Sequence, residues 1–162
     1  MAFHIIEGDI VTMDTEVIVN AANTTLQQGN GVCGAIFQAA GAEQLQAECN
    51  LFKGCPIGYA VITMGYSLKA KYIIHTVGPV WQGGQMGEEF LLASCYRKSL
   101  ELADQYCLES IAFPLISSGI FGYPNEEAKK VAEDTIQEFL KEHPRMEVYL
   151  VLKEEKEKAN EK

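Results

Sequence analysis

Short runs rich in β-branched and aromatic residues punctuate this chain at Phe3 to Ile6, Val17 to Asn20, Tyr59 to Met64, Tyr72 to Val77, Ile111 to Ile116 and Glu147 to Leu152. Most of them are apolar at successive positions rather than at alternate ones. A strand with one wet face alternates, whereas a strand covered on both faces does not. The pattern therefore demands layers above and below a sheet. Stretches with helical spacing lie between the runs and supply those layers, so the fold class is α/β.

The clearest helical stretch spans Gly87 to Cys107, where Leu92, Cys95, Tyr96, Ser99, Leu100, Ala103 and Cys107 recur on one face. A second runs from Asn125 to Glu142 with Ala128, Val131, Ala132, Thr135, Ile136, Phe139 and Leu140 as its stripe. Glu126 and Glu127 in its first turn complement the helix dipole, and Pro144 ends it. Gly34 to Leu51 reads as helix with an interruption at Gly41, and residues 153–162 form a charged tail. No repeat or linker divides the 162 residues, so a single domain spanning 1–162 is expected.

No run approaches the ~18 apolar residues of a membrane span, and the N-terminus lacks a basic region followed by a long apolar core. A cytoplasmic, monomeric protein is the expectation. The five cysteines are odd in number and lack Cys-x-x-Cys spacing, so reduced thiols are expected, with no metal and no cofactor. Cys95 and Cys107, on the helical stripe, read as small hydrophobes. A formal net charge of -9 argues against nucleic acid, whose binding depends on clustered Lys and Arg. It leaves a small phosphate ligand open, because oriented backbone amides hold phosphate without basic side chains.

Glu7-Gly8-Asp9-Ile10 closes the first run in a turn that an aspartate side chain can cap. Asn20 and Asn23 leave a buried run; asparagine there can satisfy loop backbone groups, or offer donor and acceptor together to a ribose. Gly29 to Gly34 and Ser117 to Gly122 each join an apolar run to a helical stretch. Each can thus present backbone N–H groups at a helix N-terminus, the physical form of a phosphate cradle. His75 lies inside an apolar strand and reads as a satisfied structural imidazole rather than a base. Trp81, after Gly78-Pro79, reads as a loop packing residue, with contact to a protein substrate as the other possibility.

Together, Asn20-Ala-Ala-Asn23, the segment from Gly29 to Gly41, Ile74-His75-Thr76-Val77-Gly78-Pro79 and the segment from Phe113 to Pro124 closely resemble the macrodomain family over residues 3 to 152. The resemblance implies a three-layer α/β/α fold around a mixed, mostly parallel sheet of about six strands. It implies ADP-ribose or a mono-ADP-ribosylated protein as partner. By the same resemblance Asp9 and Ile10 contact adenine, Asn23 binds the distal ribose and Asn20 supports the loop. Gly31, Val32 and Cys33 line the diphosphate and distal ribose. Ser117, Ser118, Gly119, Ile120, Phe121 and Gly122 close over the phosphates, with Phe121 flanking the ribose.

MacroD-type members carry Asp where this chain has Cys33, and often His where it has Phe37. That Asp is proposed to place water near the anomeric carbon. Cysteine could act as a nucleophile, but the motif offers no His or Lys to lower a thiol pKa from its ordinary value of about 8.5. Asn23 and Cys33 are therefore the candidate catalytic residues, Asn23 fixing the sugar and Cys33 lining the water. A carboxylate leaving group, with a conjugate-acid pKa of about 4, needs little acid assistance. Alphavirus macrodomains with a similar Gly-Val-Cys stretch can be hydrolases without the Asp. The expected activity is metal-independent hydrolysis of mono-ADP-ribose esters on Asp and Glu, with O-acetyl-ADP-ribose as a further substrate. The alternative is an ADP-ribose reader without turnover.

Overall fold

The computed structural model describes residues 3–119 and 121–153, so Ile120 and the charged tail beyond Lys153 lie outside the described residues. Six strands, β1 (Phe3–Glu7), β2 (Val17–Ala21), β3 (Ala60–Met64), β4 (Tyr72–Thr76), β5 (Ser110–Phe113) and β6 (Glu147–Leu152), form one sheet in the order β1-β6-β5-β2-β4-β3. Only β3, at one edge, runs antiparallel to its neighbour. Four helices flank the sheet: α1 (Gly31–Ala40), α2 (Ala42–Cys49), α3 (Glu88–Gln105) and α4 (Asn125–Glu142). The mixed, mostly parallel α/β/α arrangement is the one expected.

β2 explains why its run had to be apolar throughout. Val17 and Val19 pack with Leu92 and Tyr96 of α3 and Ile136 of α4, whereas Ile18 packs with Ile36 and Phe37 of α1 and Leu45 of α2. All three β2 side chains are at most 1% exposed, and each contributes roughly 1.5–3 kcal/mol by leaving water. A one-residue slip would turn Asn20 toward the α3–α4 layer, so register is strongly specified.

Element ends follow local chemistry. Pro144 follows the C-cap of α4, and Gly41, at φ +115°, separates α1 from α2 where the interruption was expected. β5 stops at Phe113, before Pro114 and short of Ile116. α1 begins at Gly31, three residues earlier than expected, and α3 ends at Gln105. Cys107 therefore is not on the helical stripe: it is exposed, at φ +59°. The Leu108 N–H bonds back to the Ala103 carbonyl and the Cys107 N–H to the Asp104 carbonyl, the paired bonds of a left-handed helix stop. That stop carries Leu108 rather than Cys107 into the core. Among the described residues no helix is long and apolar enough to cross a membrane.

β2 and β5 are adjacent and parallel, yet β2 leads to α1 on one face and β5 leads to α4 on the other. Adjacent strands whose connections diverge to opposite faces open a crevice at their carboxyl ends, the usual ligand position in open α/β sheets.

Candidate functional site

The loop after β2 is built on a buried polar web. Asn20, 0% exposed, pairs in register with His75 of β4. Its Nδ2 donates to His75 Nδ1 at 3.1 Å and approaches Cys33 Sγ at 3.6 Å. Because an amide nitrogen only donates, Nδ1 accepts and the ring proton sits on Nε2, which faces Thr63 Oγ1 at 2.9 Å. Thr63 in turn donates to the Met64 carbonyl at 3.1 Å. Burial lowers the His75 pKa from 6.5 to about 4, so the ring is neutral near pH 7 and lends Cys33 no positive charge. The structural reading of His75 is the one this environment supports. Asn20 is fully buried behind Cys33 and braces the loop wall through its amide.

Asn23 is half-buried, and its side chain organises the turn that follows. Its Oδ1 accepts from the Gln27 N–H at 2.9 Å and from Thr25 Oγ1 at 3.0 Å, while Nδ2 donates to the Gln27 carbonyl at 2.9 Å. One amide hydrogen is left over for a ligand. A Cβ on Gly29 would sit 3.5 Å from Asn23 Nδ2 and 3.8 Å from Cys33 Sγ, so these three residues converge. Gly34 meets the same loop more tightly, since a Cβ there would lie 2.5 Å from the Gly29 carbonyl oxygen. The N-cap, Asn30, provides no side-chain bond, so α1 opens with first-turn amides at Gly31, Val32 and Cys33 that the cap does not satisfy. Cys33 is buried, and Phe37, 1% exposed, packs behind the loop with its edge toward His75 at 6.4 Å.

The loop after β5 is held differently. Ser117 adopts φ +67° and its carbonyl accepts from the Tyr123 N–H at 2.9 Å, while the Gly122 N–H bonds to the Gly119 carbonyl at 2.9 Å. Ser118 Oγ donates to the Leu115 carbonyl at 2.8 Å. Tyr96, buried on α3, braces the approach: its hydroxyl accepts from the Ile116 N–H at 3.1 Å and donates to the Pro114 carbonyl at 3.3 Å. Ser117 Oγ is buried without a hydrogen-bond partner. The Trp81 N–H bonds to the Phe121 carbonyl at 2.8 Å, and the Trp81 ring packs on Tyr123 at 4.7 Å, in keeping with a packing role.

Asp9 caps the 3-10 turn Ile10–Thr12 by accepting the Val11 N–H at 3.2 Å, at the carboxyl end of β1. Asp9 is exposed and Ile10 buried. Sequence reasoning missed Glu88, the buried carboxylate behind Trp81, which accepts N–H bonds from Gln82, Gly84 and Met86 at 2.7, 3.1 and 2.7 Å. Burial opposes its charge, but these backbone donors outweigh that and hold its carboxyl below the ordinary range. Gly83-Gly84 followed by Gly87-Glu88 is the signal that could have found it. Grooves of about 340 and 400 Å³ lie between α3 and α4, and neither is lined by Asn23, Cys33 or Ser117. The crevice at β2 and β5 is therefore identified from topology and loop chemistry, not cavity size. Among the described residues no three His, Cys, Asp or Glu side chains are grouped to hold a metal.

Known proteins are consistent with this arrangement. The chain is 60% identical over 148 residues, 91% of its length and 79% of the relative's, to a macro domain-containing protein of Methanosarcina mazei. It is 46% identical over 157 residues, covering 94% of this chain and 89% of the relative, to an O-acetyl-ADP-ribose deacetylase of Cronobacter turicensis. A mutant Oceanobacillus iheyensis macrodomain with ADPR superposes with a TM-score of 0.88 at 46% identity, covering 94% of this chain and 85% of that one. With residues 19–132 also matching the Macro domain family model, the chain belongs to the macro domain family.

Proposed function

We propose that this macrodomain binds ADP-ribose in the crevice between the Asn23–Cys33 and Ser117–Gly122 loops and hydrolyses mono-ADP-ribose esters of protein aspartate and glutamate. O-acetyl-ADP-ribose, also an ester of a carboxylic acid, is a further substrate. The observation that carries this reading is the divergence of β2 and β5, which sets an uncapped helix N-terminus and a glycine-rich loop on either side of one crevice. In this reading Asp9 and Ile10 meet adenine, and the amides of Gly31, Val32 and Cys33 meet the diphosphate. Ser117, Ser118, Gly119 and Gly122 close over the phosphates, and Phe121 flanks the distal ribose. Ile120 belongs to the same loop by resemblance alone.

The free amide hydrogen of Asn23 fixes a distal ribose hydroxyl, so water meets the anomeric carbon in a set geometry. Water attacks that carbon, the bond from it to the ester oxygen breaks, and the electron pair leaves on the carboxylate. The proton from water passes to a phosphate oxygen of the substrate. A carboxylate with conjugate-acid pKa of about 4 departs without an acid, whereas serine or arginine linkages need one. A second reading, a reader without turnover, is favoured by buried Cys33 standing where the resemblance to MacroD-type members would put an Asp.

The test is release of ADP-ribose from a glutamate-linked target, run with Asn23→Ala and Cys33→Ala and with thermal unfolding of each variant as control. Release lost in folded Asn23→Ala and retained in Cys33→Ala is the expected result. Binding of ADP-ribose with no release by the unaltered protein makes the chain a reader. Release of serine-linked ADP-ribose as fast as glutamate-linked material overturns the leaving-group argument.

A further inference from the structure

α3 and α4 follow the parallel strands β4 and β5, so their N-terminal turns stand at the same carboxyl edge of the sheet as the two loops. Between those turns runs the groove of about 400 Å³. Val131 and the nearly buried Tyr123 line it, and Phe90, 72% exposed, sets a phenyl ring beside them. Glu89, Glu127 and Asp134 supply carboxylates. Among the described residues lining the groove the one cation is Lys130, already paired with Asp134 at 3.2 Å. The negative field reaches the apolar surface: burial first, then Glu89, Glu127 and Glu88, push the Tyr123 phenol above its ordinary pKa. Tyr123 also closes the second loop through its N–H bond to Ser117 and packs on Trp81. One residue thus belongs to both groove and loop.

The geometry points to this groove as the docking surface for the polypeptide that carries ADP-ribose, selecting modified segments with Lys or Arg flanking the acidic acceptor residue. The inference rests on the reading that the two loops hold ADP-ribose. A lysine or arginine fits both halves of the groove, laying its aliphatic stem on Phe90 and Val131 while its charge meets Glu89 and Glu127. An anionic nucleotide is repelled there, and the chain's net charge of -9 adds to the attraction for a basic segment.

Two peptides bearing one glutamate-linked ADP-ribose, flanked by lysines or by serines, are titrated alongside free ADP-ribose and the unmodified lysine peptide. The proteins are the full chain, Glu89→Gln/Glu127→Gln and Phe90→Ser. The lysine-flanked conjugate binds roughly ten-fold tighter than the serine-flanked one, as a few screened surface ion pairs allow. That margin shrinks in about 0.5 M salt and falls to about two-fold in the double Gln variant, with the Kd for free ADP-ribose unchanged. Equal affinity for the two conjugates overturns the groove assignment and leaves ADP-ribose binding standing. Loss of all ADP-ribose binding defeats the functional reading instead, and the unmodified lysine peptide then decides the groove: amide NMR shifts centred on Ala93 and Val131 uphold it, and no shifts there overturn it. A dimer in sedimentation that Phe90→Ser abolishes gives the groove to a second copy and also overturns the assignment.

Discussion

The two loops that frame the crevice are rigid for different reasons. The loop after β2 stands on side chains: Asn20, His75 and Thr63 form a buried chain of hydrogen bonds behind Cys33, and Asn23 ties its own turn. The loop after β5 stands on backbone: carbonyl to amide bonds close it, a hydroxyl on α3 props it, and Gly78 leaves room for it. A side-chain web can be titrated, whereas a backbone turn responds to shape. The first loop should therefore feel pH, and each loop should feel an added carbon atom according to whether the atom it meets is backbone or side chain.

The largest effect expected from this contrast is acid sensitivity through His75. Above pH 6.5 the ring is neutral both folded and unfolded and contributes no pH dependence. As pH falls below 6.5 the unfolded chain takes up a proton that the folded chain refuses until about 4, so stability is lost across that window. The loss reaches roughly 3 kcal/mol at the acid end. Urea unfolding of the unaltered chain and of His75→Gln at several pH values measures it, and parallel pH profiles for the two would break the contrast.

Gly34→Ala comes next. Alanine inside a helix ordinarily gains about 1 kcal/mol over glycine. Here the new Cβ would lie 2.5 Å from the Gly29 carbonyl oxygen, a backbone atom that yields only if the loop moves. A net loss of about 2 kcal/mol with weakened ADP-ribose binding is expected, since overpacking costs about 1–3 kcal/mol beyond any gain in propensity. A raised melting temperature would show that the first loop is not the tight contact described.

Gly78→Ala sharpens the same point for the second loop. Its Cβ would meet Ser117 Oγ at 2.2 Å and Ile116 Cγ2 at 2.7 Å, side-chain rather than backbone atoms. The expected cost is about 1 kcal/mol, smaller than for Gly34 because a side-chain torsion takes up part of an overlap that a backbone carbonyl cannot. Ser117→Gly should go the other way, gaining about 1 kcal/mol by relieving a left-handed φ and an unpartnered hydroxyl. Denaturation midpoints rank the four; Gly78→Ala costing more than Gly34→Ala would reverse the assignment of which loop is tighter.

The layered α/β class was legible because doubly covered strands leave their mark on every position, as Val17, Ile18 and Val19 show. Gly41 and Pro144 were legible as stops, because proline and glycine constrain the backbone wherever they occur, whereas the run was carried through Pro114 to Ile116 although β5 stops at Phe113. Cys107 was misread because its helix ends without a glycine; only the bonds from Cys107 and Leu108 back into α3 disclose the stop. The loops were legible as composition, since small residues between an apolar run and a helix announce a cradle. Their bracing was not.

Asn20 and His75 are 55 positions apart, and nothing in either run says that β2 and β4 pair so as to join them. The same holds for Tyr96 under Ile116, and for the closeness of α3 and α4 that makes a groove of Phe90, Tyr123 and Glu127. What the sequence by itself determined is therefore what depends on neighbours in the chain: strand or helix, covered or exposed, turn or cap. Strand order and helix packing decided which polar groups meet, because contacts between distant residues exist only after the sheet has chosen its register.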